Sequence, residues 1–208
     1  MPGDFLRRGN GGKLGAMSSQ HEDPACEVAH GTAPAQGAAS APGTAPAPGT
    51  ATAPDPEKVL VAVFATPVAE FLLRYAADAG YRAVLVEPDP ERSQAAKAAG
   101  LIMADSLDGF PAGTADVVVT DHHRPELGVA LRDALASDAR WVGIMGNPRH
   151  EGPHVAALTE LSVPPAEIAR VHRPIGINIG SRTPPEIAIA TIAGLIADRN
   201  GKPGGFSF

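Results

Sequence analysis

The sequence predicts an α/β fold of the doubly wound, Rossmann-like type, with a mostly parallel sheet and helices on both faces. From residue 58 onward, short apolar runs of strand length alternate with longer segments of helical spacing. The apolar runs are continuous, which is typical of strands that are buried on both faces. Strands that alternate with helices along the chain indicate parallel strands joined by crossover helices.

The elements follow in order from this pattern. In the first half we expect strands at Val59–Phe64 and Arg82–Glu87, a helix at Val68–Ala79, and a short strand at Leu101–Ala104. Asp89-Pro90 is a helix-start signature, with a capping carboxylate before proline at the first helical position. In the second half we expect three strands and three helices: strands at 116–120, 140–145 and 175–179, and helices at 125–137, 152–161 and 183–198.

Composition divides the chain into an arm and a domain. Residues 1–56 are rich in Ala, Pro, Gly and Thr and have few large apolar side chains, so we expect a disordered arm. The folded domain is expected over residues 57–200, with a flexible tail at 201–208. The net charge of −6 argues against nucleic acid as a partner, and no apolar run approaches membrane-spanning length. The single cysteine, Cys26, excludes a disulfide framework and favours a cytoplasmic setting.

Two glycine-rich turns lie where ligands bind in such folds, beyond the carboxyl ends of the strands. One turn carries Gly146, Asn147 and Arg149, and the other carries Gly180 and Arg182. Backbone N–H groups at such turns, together with a guanidinium, are suited to an anion. We therefore predict that both turns contribute to a cofactor site. Thr183 and Glu186, by contrast, have the spacing of a helix capping box and need no ligand.

The first strand–helix turn departs from the dinucleotide fingerprint. The glycines of a G-x-G-x-x-G/A turn are replaced in the segment Phe64–Ala69, although Thr66 could still contact a ligand. Glu87 ends the second strand where an acidic residue would hold a ribose 2′-hydroxyl. NAD(P) binding is therefore disfavoured but stays open.

Four segments carry a family resemblance: Val59–Ala69, Thr120-Asp121-His122, residues 141–149, and residues 173–188. The last reads P-I-G-x-x-I-G-x-x-T-P-x-E-I-A and is the most specific. Over residues 58–199 the chain resembles the carboxy-terminal domain of the xanthine dehydrogenase accessory protein (XdhC/CoxI) family. The resemblance implies a Rossmann-like domain that binds molybdenum cofactor and delivers it to a molybdenum hydroxylase such as xanthine dehydrogenase.

The sequence departs from the family pattern at several points. The G-x-G-H-V-A turn is Phe64–Ala69, the T-H-D turn appears as Thr120-Asp121-His122, and the G-S-R-R turn appears as residues 146–149. The G-G-C-V-E-type segment of the family's amino-terminal domain does not occur, which weakens a sulfur-handling role. We expect a stand-alone domain that holds the pterin phosphate on the Gly146 and Gly180 turns.

Other readings stay open. One is an oxidoreductase that uses a nicotinamide or flavin dinucleotide. Another is a degenerate Rossmann module with a regulatory or interaction role, and a homodimer is one assembly that the pattern allows. His122 or His123 could act as a general acid or base, whereas no metal site is expected. His172 and Arg173 are expected before the last strand, at the edge away from the ligand, without a role.

Overall fold

A computed structural model describes residues 57–146 and 152–205 of the 208-residue chain. The predicted arm at 1–56 lies outside the described residues. So do Asn147 and Arg149 of the predicted Gly146 turn. In the part of the chain that the structure describes, no helix is long and apolar enough to cross a membrane.

The described domain is built on one five-stranded parallel sheet, with the strand order β2-β1-β3-β4-β5. The strands are β1 Val59–Val63, β2 Arg82–Val86, β3 Ala115–Val119, β4 Trp141–Ile144 and β5 Val171–His172. Because β2 pairs on one side of β1 and β3 on the other, the order reverses next to β1, as in doubly wound folds. The predicted fold class is confirmed.

Six described helices connect or follow the strands. They are α1 Pro67–Asp78, α2 Pro90–Ala98, α3 Leu127–Ala136, α4 Pro153–Glu160, α5 Pro165–Ile168 and α6 Pro184–Arg199. The predicted caps are present: Asp89 Oδ1 accepts a hydrogen bond from Arg92 N at 2.9 Å, and Thr183 with Glu186 forms a capping box. These caps satisfy N–H groups that a helix start leaves without a partner.

The two faces of the sheet carry separate apolar cores. Alternate residues of β1 point to opposite faces. Val61 belongs to a cluster with Leu131 of α3 and Leu158 of α4. Leu60 belongs to the other cluster, with Leu72 of α1 and Ile192 of α6. Helices therefore cover both faces, and burial on both sides explains the continuous apolar strands.

Two predicted strands are wrong, and so is the predicted position of Arg173. Residues 175–179 form no strand, because β5 ends at His172 and the following segment bonds to α6 instead, with Ile177 N donating to the Ala190 carbonyl at 3.0 Å. Leu101–Ala104 is reduced to a single bridge between Met103 and Leu85. Because β5 precedes Arg173, that residue follows a strand rather than preceding one and lies at the carboxyl edge.

A buried ion cluster at the opposite, amino-terminal edge attaches α6 to the sheet. The fully buried Asp116 accepts hydrogen bonds from Arg140 Nε and from Arg199 Nε, each at 2.7 Å. Burial raises the pKa of Asp116, although both guanidiniums act in the opposite direction. Arg199 is the last residue of α6, so the cluster holds the carboxyl end of this helix. The amino end of the helix borders the opposite, carboxyl edge of the sheet.

Candidate functional site

A cleft of about 1130 Å³ lies at the carboxyl edge of the sheet. Its walls come from the turn after β3, the end of β4, the segment between β5 and α6, and α6 itself. It is lined by residues 120–123, 145–146 and 174–182, with Val68, Ile187, Ala190 and Thr191. This is the edge at which α/β folds bind ligands.

The turn after β3 forms the first wall. Thr120 is buried, and its hydroxyl lies 2.9 Å from the Phe64 carbonyl oxygen, to which it can donate. Thr66 Oγ1 lies 3.1 Å from Thr120 Oγ1 and also caps α1 by accepting a hydrogen bond from Ala69 N. Asp121 Oδ1 accepts a hydrogen bond from His123 N at 2.9 Å. These bonds hold Thr120 and Asp121 in the cleft wall.

His122 lies in the same turn and is partly buried. Partial burial lowers the pKa of His122, and so does its electrostatic interaction with His123, whose ring centroid is 4.0 Å away. Asp121 acts in the opposite direction, as does a hydrogen bond to the Met145 backbone. A neutral imidazole that bonds a carbonyl through one nitrogen leaves the other nitrogen as an acceptor.

The opposite wall is the segment 174–182, which packs directly on α6. Gly176 has a φ of +82°, and a Cβ there would lie 2.8 Å from the Ala190 carbonyl oxygen. A Cβ on Gly194 would lie 2.8 Å from Gly176 Cα. Two glycines therefore allow backbone and helix to approach closely, and this contact fixes one wall of the cleft.

The Gly180 turn uses its backbone donors internally. Glu186 Oε2 accepts hydrogen bonds from Arg182 N at 2.8 Å and Thr183 N at 3.1 Å. Gly180 N has a longer bond of 3.4 Å to Asn178 Oδ1. Among the described residues, no carboxylate pairs with the exposed Arg182 guanidinium. The side chain of Arg182, rather than the backbone of this turn, is therefore available to an anion.

Arg173 stands behind Gly146, a position that the sequence did not reveal. A Cβ on Gly146 would lie 2.8 Å from Arg173 Nε, so glycine makes room for the guanidinium. Its positive charge contributes to lowering the pKa of His122 and of His154, for which burial is the largest cause. Locating β5 at residues 171–172 would have been the signal needed to find Arg173.

Glu87 lies away from the cleft, in what we call the Glu87 cluster: Glu87, Phe64, Arg124 and Glu126. The Glu87 side chain is fully buried, and Arg124 Nη2 donates to its Oε1 at 3.1 Å. Arg124 also bonds Glu126 at 3.1 Å and lies 4.8 Å from the Phe64 ring centroid. Hydrogen bonds to Glu126 and Glu87 raise the pKa of Arg124. No sequence motif marked Arg124.

The structure thus brings together most of the predicted site residues. Those that line the cleft are Thr120, Asp121, His122, Gly146, Gly180 and Arg182. Thr66 touches the cleft wall through Thr120, whereas Glu87 belongs to its own cluster. Within residues 57–146 and 152–205, no three His, Cys, Asp or Glu side chains are grouped to hold a metal ion.

The structure is a Rossmann-like domain whose cleft lies beside β3, β4 and α6. The family model of the XdhC Rossmann domain matches residues 60–195. The chain therefore belongs to the XdhC Rossmann domain family.

Two known proteins are similar to parts of the chain. A crystal structure of a xanthine dehydrogenase from Bacillus halodurans matches with a TM-score of 0.56 and 21% identity, over 70% of this chain and 45% of that one. At this identity the likeness concerns the fold alone. The uncharacterized protein YqeB of Escherichia coli K12 is 32% identical over 101 residues, which are 49% of this chain and 18% of YqeB. The chain thus spans less than half of either protein.

Proposed function

We propose that this domain binds molybdenum cofactor in the cleft and assists its delivery to a molybdenum hydroxylase such as xanthine dehydrogenase. Membership of the XdhC family supports the class of client. The cofactor is the cargo of this reaction, and its molybdenum centre supplies the redox chemistry only in the client enzyme.

One observation carries the proposal. The turn that resembles the family's T-H-D turn, the glycine at 146 and the loop at 178–182 all line one cleft of about 1130 Å³. Drug-sized ligands occupy pockets of roughly 300–1,000 Å³. The cleft is therefore large enough for a pterin that carries one phosphate.

The side chains of the cleft suit the polar groups of such a ligand. A pterin ring has both N–H donors and ring acceptors, and Asp121, Thr120 and His122 offer oxygen and nitrogen atoms along one wall. Arg182 offers a planar guanidinium, which is suited to a phosphate. Because Glu186 occupies the nearby backbone N–H groups, we assign phosphate recognition to the Arg182 side chain.

The first experiment measures what the full chain carries when it is purified anaerobically from a host that makes molybdenum cofactor. The protein is denatured, the extract is oxidised, and the fluorescent pterin derivative is quantified beside nucleotides by mass spectrometry. We expect close to one pterin per chain. A bound dinucleotide instead would favour an oxidoreductase. If neither pterin nor dinucleotide is found, and added cofactor does not raise the melting temperature of the protein, a module that binds no small molecule would be favoured.

A pair of arginine variants tests the location of the site. We expect Arg182→Ala to weaken cofactor binding about tenfold or more, because a charge-assisted hydrogen bond contributes about 1.5–3 kcal/mol. Arg132→Ala is the matched control, since Arg132 lies on α3, is about half exposed, and pairs only with Asp133 among the described residues. Equal affinities for wild type and Arg182→Ala would remove Arg182 from the site.

A further inference from the structure

The edge of the sheet that holds the cleft also contains a second position, at which doubly wound folds bind the rest of a dinucleotide. In those folds the pyrophosphate meets the turn after β1 and the adenosine ribose meets the end of β2. In this chain the two positions correspond to the turn at Phe64–Ala69 and to Glu87. Whether these two positions are open or filled by side chains decides whether the edge can bind a dinucleotide or only a shorter ligand.

In the turn after β1, a backbone conformation that glycine usually supplies is taken by a residue with a large side chain. Phe64 has a φ of +74°, the left-handed conformation that glycine usually supplies, yet its ring is fully buried. The next N–H, that of Ala65, already donates to Glu87 Oε2 at 2.7 Å. An internal carboxylate therefore occupies the backbone donor that a pyrophosphate would use.

The ribose position is occupied as well. Glu87 Oε1 accepts hydrogen bonds from Asp89 N at 3.0 Å and from Arg124 Nη2 at 3.1 Å. The Arg124 side chain is only 9% exposed and lies over the Phe64 ring. A ribose hydroxyl would have to replace this guanidinium and leave a buried charge without its partner, which is strongly unfavourable.

The remaining charge of the cleft matches a single phosphate. At the start of α6, the exposed Glu186 is a second carboxylate of the chain itself that accepts hydrogen bonds, here from the Arg182 and Thr183 N–H groups. Of the described residues that line the cleft, Arg182 is the one arginine, and Asp121 in the opposite wall adds a negative charge. Among these described lining residues, a pyrophosphate with two charged groups would meet one guanidinium and a carboxylate, with Arg173 set back behind Gly146, whereas a monophosphate needs only the Arg182 guanidinium.

We propose that the cleft selects a pterin that ends in one phosphate and discriminates against the same pterin joined through a pyrophosphate to a nucleoside. This selectivity rests on the proposed function, because it concerns the form of the cofactor that the same cleft accepts. Its structural basis is the Glu87 cluster, which fills the nucleoside half of the edge with the chain's own side chains.

The test compares two ligands on the wild-type full chain under anaerobic conditions. Equilibrium binding is measured for molybdopterin, which carries one phosphate, and for its cytosine dinucleotide. We expect the dinucleotide to bind at least tenfold more weakly. Equal or tighter binding of the dinucleotide would overturn the selectivity and leave the proposed function standing. Failure of both ligands to bind would overturn the selectivity and the proposed function together.

A variant of the cluster tests the cause of the selectivity. Arg124→Ala removes the side chain that lies over Phe64. We therefore expect the ratio of the two dissociation constants, dinucleotide over monophosphate, to fall at least threefold, while the dissociation constant of the monophosphate stays within twofold of wild type. Arg132→Ala is the control and should leave the ratio unchanged. A folded Arg124→Ala protein with the wild-type ratio would contradict the role of the cluster. If this variant does not fold, the wild-type comparison decides the selectivity.

Discussion

The Glu87 cluster and the cleft lie at the same edge of one sheet, yet their polar groups are used in opposite ways. In the cluster, a fully buried carboxylate is bonded to two backbone N–H groups and to Arg124. In the cleft, Arg182 has no carboxylate partner among the described residues, and the partly exposed His122 has a lowered pKa. The polar groups in one half of the edge are satisfied by the protein itself, and the other half is where we propose that a ligand binds.

The difference shows how one topology can be restricted to part of its usual ligand site. No strand or helix has to change: a phenylalanine at a glycine-type position and an arginine after β3 are sufficient to fill the β1–β2 half. Ligand size at this edge is then set by a few side chains rather than by the fold.

The largest effect should come from breaking the cluster. We expect Glu87→Ala to lower the free energy of unfolding by about 3–5 kcal/mol, because Arg124 is left as a buried charge without this partner. Urea denaturation measures it. Glu126→Ala is the control: its side chain is 36% exposed, so the loss should be at most about 1 kcal/mol. Similar losses in both variants would contradict a special role for Glu87.

A second comparison tests the wall of the cleft with two glycines of positive φ. We expect Gly176→Ala to cost about 2–4 kcal/mol, because the backbone strain is joined by overpacking against the Ala190 carbonyl. Gly180→Ala has the same strain but nothing within 4 Å of the new Cβ, so it should cost about 1 kcal/mol. The measurement is the urea midpoint of each variant. Equal costs would mean that the 174–177 segment moves away from α6 readily.

The third prediction concerns the strained residue of the cluster. Phe64→Ala should be strongly destabilising, since a fully buried ring is lost. Phe64→Gly loses the same ring but relieves the left-handed strain at φ +74°, so it should be more stable than Phe64→Ala by about 1 kcal/mol. Thermal and urea unfolding of the two variants give the difference. A less stable glycine variant would show that the strain is negligible.

The smallest effect should be the pH dependence on the cleft side. The pKa values of His122 and His154 are lowered below their ordinary value of 6.5 in the folded protein. Below about pH 6.5 the unfolded chain therefore binds more protons than the folded protein. The free energy of unfolding is at its full value above that pH and declines as the pH falls. Urea midpoints measured from about pH 8 down to pH 6, a range that includes the ordinary histidine pKa, should fall in wild type.

Substitution by glutamine identifies the histidines responsible. His122→Gln and His154→Gln should each flatten the pH dependence, because each removes one titrating group. Val129→Gln, which replaces an exposed apolar side chain of α3 and removes no ionisable group, is the control variant. An unchanged slope in the first two variants would assign the pH dependence to other groups.

Local patterns predicted most of the fold because they reflect local physics. Buried parallel strands must be apolar on both faces, and Asp89 and Thr183 satisfy the first N–H groups of their helices. The segment 175–179 misled the same reasoning. An apolar run has no signal that distinguishes pairing with a strand from packing on a helix, and here the contact of Gly176 with α6 decides between them.

The candidate site divides in the same way. Residues that follow strands, such as Asp121, His122 and Arg182, could be placed at the carboxyl edge because parallel strands all end there. Glu87 was placed at that edge too, but its partner Arg124 comes from a distant part of the chain. Whether a carboxylate at the end of a strand faces a ligand or an internal guanidinium depends on that long-range contact.

The fold class, the capped helix starts, the family and the edge of the sheet that bears the cleft could all be predicted from the sequence, because each depends on periodicity or on short segments in order. Three other features depend on contacts in the folded chain: Glu87 is enclosed by Arg124, Arg173 stands behind Gly146, and Glu186 accepts hydrogen bonds from the Arg182 and Thr183 N–H groups. These are competitions among polar groups for the same partners. Their outcome depends on distance and burial, which a linear pattern does not contain.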